Sequence, residues 1–197
     1  MAHIQLSNLP SSWAEFNREK RLNPTANHLS ALNRFGYRYR LAHSFNGLSA
    51  EGIGRSLLTY SAITKLFFAY TAYESLIPSA KRLRSRGVEP IAINVLFDKD
   101  IADKLRENIK LKDFLLNYGF KDELKSKLNH FFSESTHDII CVAYAIRNMF
   151  AHGDLTTTDI GTGTAKERKL LLLVADRILV YCDEVFSDCV LRLQLRR

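Results

Sequence analysis

From Ile139 to Ala151 this chain is apolar on every side except at Arg147 and Asn148, and His152 and Gly153 follow at once. A helix that is apolar around its whole circumference belongs inside a bundle. An unpaired guanidinium in such a helix loses its hydration at high cost. Arg147 therefore calls for a carboxylate partner, an interface or an anionic ligand. Together Arg147, Asn148 and His152 mark a site, either structural or chemical.

The other long segments also have a helical period, with no internal repeat and no β-hairpin signal. The expected fold is all-α, a bundle of long antiparallel helices. Ser12 with Glu15 reads as a capping box that opens a short helix. A second helix is expected within residues 26–45. Ser49 to Gly54 lead into a long helix with an apolar stripe at Ile53, Leu57, Tyr60, Phe67, Tyr70 and Ile77. Pro78 is expected to end it, because the residue before a proline is pushed out of the helical region. The tract KRLRSRGVEP reads as a basic connector, and IAINVLF fits a strand, a helical turn or a loop equally well.

Asp98–Asn108 and Lys112–Asn129 supply one or two shorter charged helices, broken near Gly119. Ser135 with Asp138 resembles a cap for the Arg147 helix, which is expected over 136–152. Gly153 suits the left-handed position just past its end. After the polar loop DLTTTDIGTGT, Thr164 with Glu167 forms another capping box, and a final helix runs to about Leu195. Residues 1–48 read as an N-terminal helical extension and 49–197 as the main helical domain, the two forming one compact unit.

The length of 197 residues suits one domain, and a hydrophobic fraction of 46% is ample for its core. The longest apolar run, Leu170 to Ala175, is far short of the roughly 20 residues that a membrane span needs. The start MAHIQLSNLP lacks the basic and apolar regions of a signal peptide, which leads to the expectation of a cytoplasmic protein. Cys141, Cys182 and Cys189 lack metal-ligand spacing and read as buried reduced thiols. The net charge of +7 favours an anionic partner such as RNA, and it equally suits plain solubility. The basic residues cluster at Arg34, Arg38 and Arg40, at Lys81, Arg82, Arg84 and Arg86, and at Lys121, Lys125 and Lys127.

Helical geometry places Asn148 and His152 on one face, with Arg147 roughly 140° around from His152. RNA cleavage by its own 2′-hydroxyl needs a proton acceptor, a proton donor and stabilisation of a charged phosphorane. An imidazole can carry the proton. A guanidinium suits the phosphorane oxygens, and Asn148 would orient the phosphate or the ring. The structural alternatives are a His152 that caps helix carbonyls, an Arg147 paired with an acid and an Asn148 that ties down a loop. The chain has no HExxH, no Cys-rich cluster and no carboxylate cluster of two-metal type, so neither a metal nor another cofactor is expected.

Two supporting residues stand out. Glu74 lies between Tyr70 and Ile77 on the long stripe. It either pairs with Arg147 or faces solvent where the stripe frays near Pro78. Tyr144, one turn before Arg147, either lines a cleft or packs in the core. The Ile140–Tyr144, Cys141–Ala145 and Ile139–Ile146 faces of the same helix are all apolar. A second copy of the chain is expected to help cover them.

The run Arg147-Asn148-Met149-Phe150-Ala151-His152 resembles the HEPN motif: Arg, a polar residue that is often Asn, a short spacer and His. The Phe150-Ala151-His152-Gly153 tail is similar to several branches of that family. The resemblance covers roughly residues 50–195. It implies an all-α HEPN-like bundle and metal-independent endoribonuclease activity, often in toxins or defence effectors. It also implies catalytic roles for Arg147, Asn148 and His152, and a homodimer in which two motifs share a cleft. Toxin-type members answer to an antitoxin, or to a partner nucleotidyltransferase that modifies a Tyr two positions after the His. Here that position is Asp154, so this form of control gains no support. The alternatives are a non-catalytic HEPN-like module that binds RNA, a nucleotide or a protein, and a helical dimerisation protein with a buried ion pair.

Overall fold

The two longest helical periods of the sequence become two helices that pack side by side through the centre of the molecule. A computed structural model describes residues 8–22, 27–52, 54, 56–84, 96–155 and 164–194. These residues form eight helices: α1 (Trp13–Leu22), α2 (Asn27–Ser44), α3 (Ser56–Arg84), α4 (Lys99–Arg106), α5 (Ile109–Asn117), α6 (Asp122–Phe132), α7 (Ile140–His152) and α8 (Ala165–Gln194). Among the described residues there is no strand, only one antiparallel bridge between Phe97 and Asp138. None of the described helices is long and apolar enough to cross a membrane.

The contacts give the directions of the chain. Leu48 meets Ser61 and Arg38 meets Thr71, so α2 runs antiparallel to α3. Tyr144 meets Tyr70 and Phe150 meets Phe67, so α7 is antiparallel to α3 as well. Lys65 meets Asp176 and Tyr73 meets Tyr181, so α8 runs alongside α3 in the same sense. The face of α3 that is fully buried reads Ala62, Ile63, Leu66, Ala69, Tyr73 and Leu76. Of the expected stripe only Tyr70 and Ile77 are fully buried. Leu57, Tyr60 and Phe67 are half-buried, and Ile53 lies outside the described residues. The alanines let three neighbouring helices approach α3, so its core face is set by small residues as much as by large ones.

Pro78 does not end α3, which continues through Lys81 to Arg84. A mid-helix proline removes one hydrogen bond and crowds the preceding turn. Burial of Ile77, Ser79 and Ala80 on either side of Pro78 offsets that loss. Four residues of the expected basic connector are thus helical, and its remainder, with residues 91–95, lies outside the described residues. The charged region after Asp98 makes three short helices rather than one or two.

Two caps also differ from expectation. Ser12 does precede α1, but its hydroxyl donates to the Ser187 hydroxyl of α8 at 3.0 Å, and Ser11 bonds to the Asp183 carboxylate. These serines fasten α1 to α8 instead of forming a capping box. The Thr164–Glu167 box forms as expected, with Glu167 accepting from the Thr164 N–H at 2.9 Å and Thr164 accepting from the Glu167 N–H at 3.3 Å.

The first two helices share the core of the rest. Phe16, Phe35 and Phe186 are fully enclosed and meet edge to face or tilted across α1, α2 and α8. Trp13 lies over Gly36, where an added Cβ would fall 2.0 Å from the indole. Only glycine lets α1 and α2 come this close.

Candidate active site on helix 7

Helix α7 is central for the reason its composition suggests: Ile140, Cys141, Val142, Ala143, Ala145, Ile146 and Met149 are all buried. One chain covers all three apolar faces, because α3 and α6 both pack on α7. The expectation that a second copy is needed to cover them is therefore overturned.

The helix begins at Ile140, four residues later than expected, because Thr136–Ile139 are drawn into the bridge with Leu96 and Phe97. The N-cap is Ile139, which makes no side-chain cap bond; the residue before it, Asp138, serves the first turn, and Ser135 does not. Asp138 accepts from the Ile140 N–H at 3.1 Å and from the Leu96 N–H at 2.9 Å, whereas the Ser135 hydroxyl turns to Ser133. Burial pushes the Asp138 carboxyl up, and these two N–H donors oppose the shift.

The approach to α7 is held by Arg106, which the sequence reading did not single out. Its guanidinium lies over the Phe131 ring and donates to the Phe131 carbonyl at 2.8 Å and the Thr136 carbonyl at 2.6 Å. Asp103 accepts from it at 2.8 Å. The Asp103–Arg106 spacing of three residues was the available signal.

At its other end α7 closes as the glycine predicts. Gly153 has φ 77°, its N–H donates to the Phe150 carbonyl and the Asp154 N–H donates to the Met149 carbonyl. This is the Schellman arrangement, and it needs a residue that tolerates the left-handed region. Asp154 then accepts from the Tyr118 hydroxyl, which ties the chain after the motif to the α5–α6 link.

The structure brings Arg147, Asn148 and Glu74 together. Arg147 Nη2 donates to Glu74 Oε2 at 3.0 Å, and Nη1 donates to Asn148 Oδ1 at 3.0 Å. Arg147 Nε is enclosed and has no acceptor among the described residues. Both readings of Glu74 are found: it pairs with Arg147, and it stays exposed where the stripe frays near Pro78. Tyr144 satisfies both of its readings. It stacks on Tyr70, with ring centroids 5.6 Å apart and 20° between planes, and it lines a cleft. Burial first, and then the Glu74 carboxylate, pushes the Tyr70 phenol up, so Tyr70 keeps its proton.

His152 is not drawn into this cluster. It is exposed in the last turn of α7, with no hydrogen-bond partner among the described residues. Five residues separate it from Arg147, roughly 7–8 Å of axial rise.

The cleft, of about 690 Å³, opens beside the same residues, between α3, α6 and the first half of α7. Among the described residues no three His, Cys, Asp or Glu side chains are grouped so as to hold a metal ion. The three cysteines are buried and no disulfide joins them among the described residues, and burial pushes the Cys141 thiol up to about 12. Of the basic clusters, Arg34 and Arg38 and the Lys121, Lys125 and Lys127 group are exposed. The side chains of Arg82, Arg84 and Arg86 lie outside what is described.

Comparison with protein-family models, with curated proteins and with solved structures gives no match to this chain.

Proposed function

We propose that this chain is a metal-independent endoribonuclease of HEPN type, of the kind found among toxins and defence effectors. The observation that carries the reading is the half-buried Arg147 guanidinium, oriented by Glu74 and Asn148, with His152 open to solvent one turn further on. A structural arginine needs its carboxylate. It has no need of an exposed histidine further along the same apolar helix.

In this scheme the 2′-oxygen of the substrate attacks phosphorus. The P–O2′ bond forms, the P–O5′ bond breaks and a 2′,3′-cyclic phosphate remains. The 2′-hydroxyl proton passes to a base, and the leaving 5′-oxygen takes a proton from an acid. Arg147 stabilises the negative charge that gathers on the phosphorane oxygens. His152 is one proton carrier. A homodimer that sets two α7 C-terminal ends facing each other would supply the second. The net charge of +7 suits an RNA partner.

A second reading has its own support. Glu74 already neutralises Arg147, and His152 makes no contact with it. A non-catalytic module that binds RNA, a nucleotide or a protein is compatible with both facts. Incubating purified protein with total RNA in EDTA separates the readings. Cleavage that Arg147→Ala removes supports the ribonuclease. RNA binding without cleavage favours the module.

A further inference from the structure

The cleft beside Arg147 has a chemical character of its own. Its wall is aromatic and apolar, from Tyr70, Tyr73 and Tyr144 with Ile77 and Ile140. Its volume of about 690 Å³ falls within the roughly 300–1,000 Å³ of small-ligand sites. Asp138 and Thr136 bring polar atoms to that wall. Asp138 Oδ1 is engaged by two backbone N–H groups, whereas its second oxygen takes no hydrogen bond among the described residues. That oxygen also is not among the enclosed unpartnered atoms. A carboxylate oxygen open to a mostly apolar cleft seeks an N–H donor.

The lining also carries three basic side chains. Lys81, Lys127 and His130 are exposed and belong to two different elements, α3 and α6. Lys127 pairs with Glu123 at 2.7 Å, an exposed pair that leaves two of its three donors open. His130 Nδ1 lies 2.8 Å from the Ser126 carbonyl, which can only accept. Nδ1 therefore donates to that carbonyl, and Nε2 is the atom left for a ligand, to which it donates as the imidazolium. Glu74 is the cleft's other acidic residue, and Arg147 neutralises it. Aromatic wall, N–H acceptor and basic rim together match one class of ligand: a flat heterocycle with ring N–H groups joined to a phosphate.

We infer that this cleft is a nucleotide-binding subsite, with the base against Tyr70, Tyr73 and Tyr144, its N–H edge on Asp138, and a phosphate held by Lys81, Lys127 and His130. Cys141 of the cleft and His152 are eleven residues apart on α7, roughly 16 Å along the axis. A single RNA strand lying along α7 thus places one nucleotide in the cleft and a bond to be cleaved near His152. The RNA half of this inference rests on the ribonuclease reading; the nucleotide half does not.

The test uses two probes with the full chain: nucleoside 5′-monophosphates by calorimetry, and a fully 2′-O-methylated RNA octamer, which cannot be cleaved, by fluorescence anisotropy. Lys81→Glu and His130→Ala are both at exposed positions and should each weaken binding tenfold or more. Lys125→Glu, on α6 outside the cleft, controls for net charge and should lose much less. Loss with the monophosphates identifies a free-nucleotide site, and loss with the octamer alone identifies an RNA subsite. No binding of either probe, or equal affinities in wild type, Lys81→Glu and His130→Ala, overturns the inference. So does a loss in Lys125→Glu as large as in Lys81→Glu. If the cleft variants behave as expected and no RNA is ever cleaved, the ribonuclease reading alone has failed.

Discussion

Glu74 of α3 and Arg147 of α7 meet at 3.0 Å, and that contact fixes the direction in which the guanidinium points. The Glu74 and Arg147 side chains retain 47% and 25% of their exposure, so water screens the pair. Its contribution to stability is below about 1 kcal/mol. Its larger effect is on ligands. The carboxylate occupies an edge of the guanidinium that a phosphate would otherwise take, and it repels that phosphate.

Glu74→Gln should therefore leave the melting temperature nearly unchanged while lowering KM for RNA. The amide still accepts from Arg147, but the repelling charge is gone. Steady-state kinetics at two salt concentrations would check this, with the difference from wild type shrinking at high salt. A higher KM in the variant would instead make Glu74 a residue that positions Arg147 for substrate.

Arg147→Ala and His152→Ala should each abolish EDTA-resistant RNA cleavage. Loss of a charge stabiliser costs around 10²–10³ in rate, visible in a simple gel assay. Asn148→Ala should cost less, since its amide orients Arg147 and carries neither charge nor proton. His152 is exposed and makes no bond among the described residues, so His152→Ala should melt with wild type. Equal cleavage by wild type and the Arg147 and His152 variants would trace the activity to a contaminant.

What could be read ahead of the structure depended on whether the signal was local. The apolar run around Arg147, the glycine at position 153 and the Thr164–Glu167 box all act within one turn, and each was legible. Glu74 was legible because a carboxylate on an apolar stripe has few partners to choose from. Pro78 misled because burial on both sides of a proline is a tertiary effect. Ser135 misled because Asp138, three residues on, had a second task in holding Leu96. The need for a dimer to cover α7 misled for a similar reason: the wrapping by α3 and α6 depends on packing far apart in sequence. The contact of Trp13 with Gly36 left no local sign at all.

That last contact gives a sharp test of the core. Gly36→Ala improves helix propensity by about 1 kcal/mol. Its methyl group would sit 2.0 Å and 2.2 Å from two indole carbons, and the indole is itself hemmed in by Phe16 and Phe186. Overpacking of this kind costs about 1–3 kcal/mol, more than the propensity gain. Thermal melts should show a net fall of a few degrees. Trp13→Leu should recover part of it in the double variant, by freeing the space. A Gly36→Ala protein more stable than wild type would mean that α1 does not seat on α2 in this way.

Asp138 should give the molecule an unusual pH response. Burial raises its carboxyl in the folded state above the unfolded value. The folded chain thus holds this proton more tightly than the unfolded chain does. The stability linked to the group is fully present below the unfolded pKa, and it is lost as pH rises through the raised folded one. Asp138→Asn keeps the oxygen that accepts from Leu96 and Ile140 and removes the titration. It should melt close to wild type at low pH, and it should lack the wild-type decline as the carboxyl ionises. Asp138→Ala removes the acceptor as well, strands two backbone N–H groups and should lose about 1–3 kcal/mol at every pH. Melting curves across the acidic range check all three proteins. An Asn variant that keeps the wild-type decline would place the responsible group elsewhere.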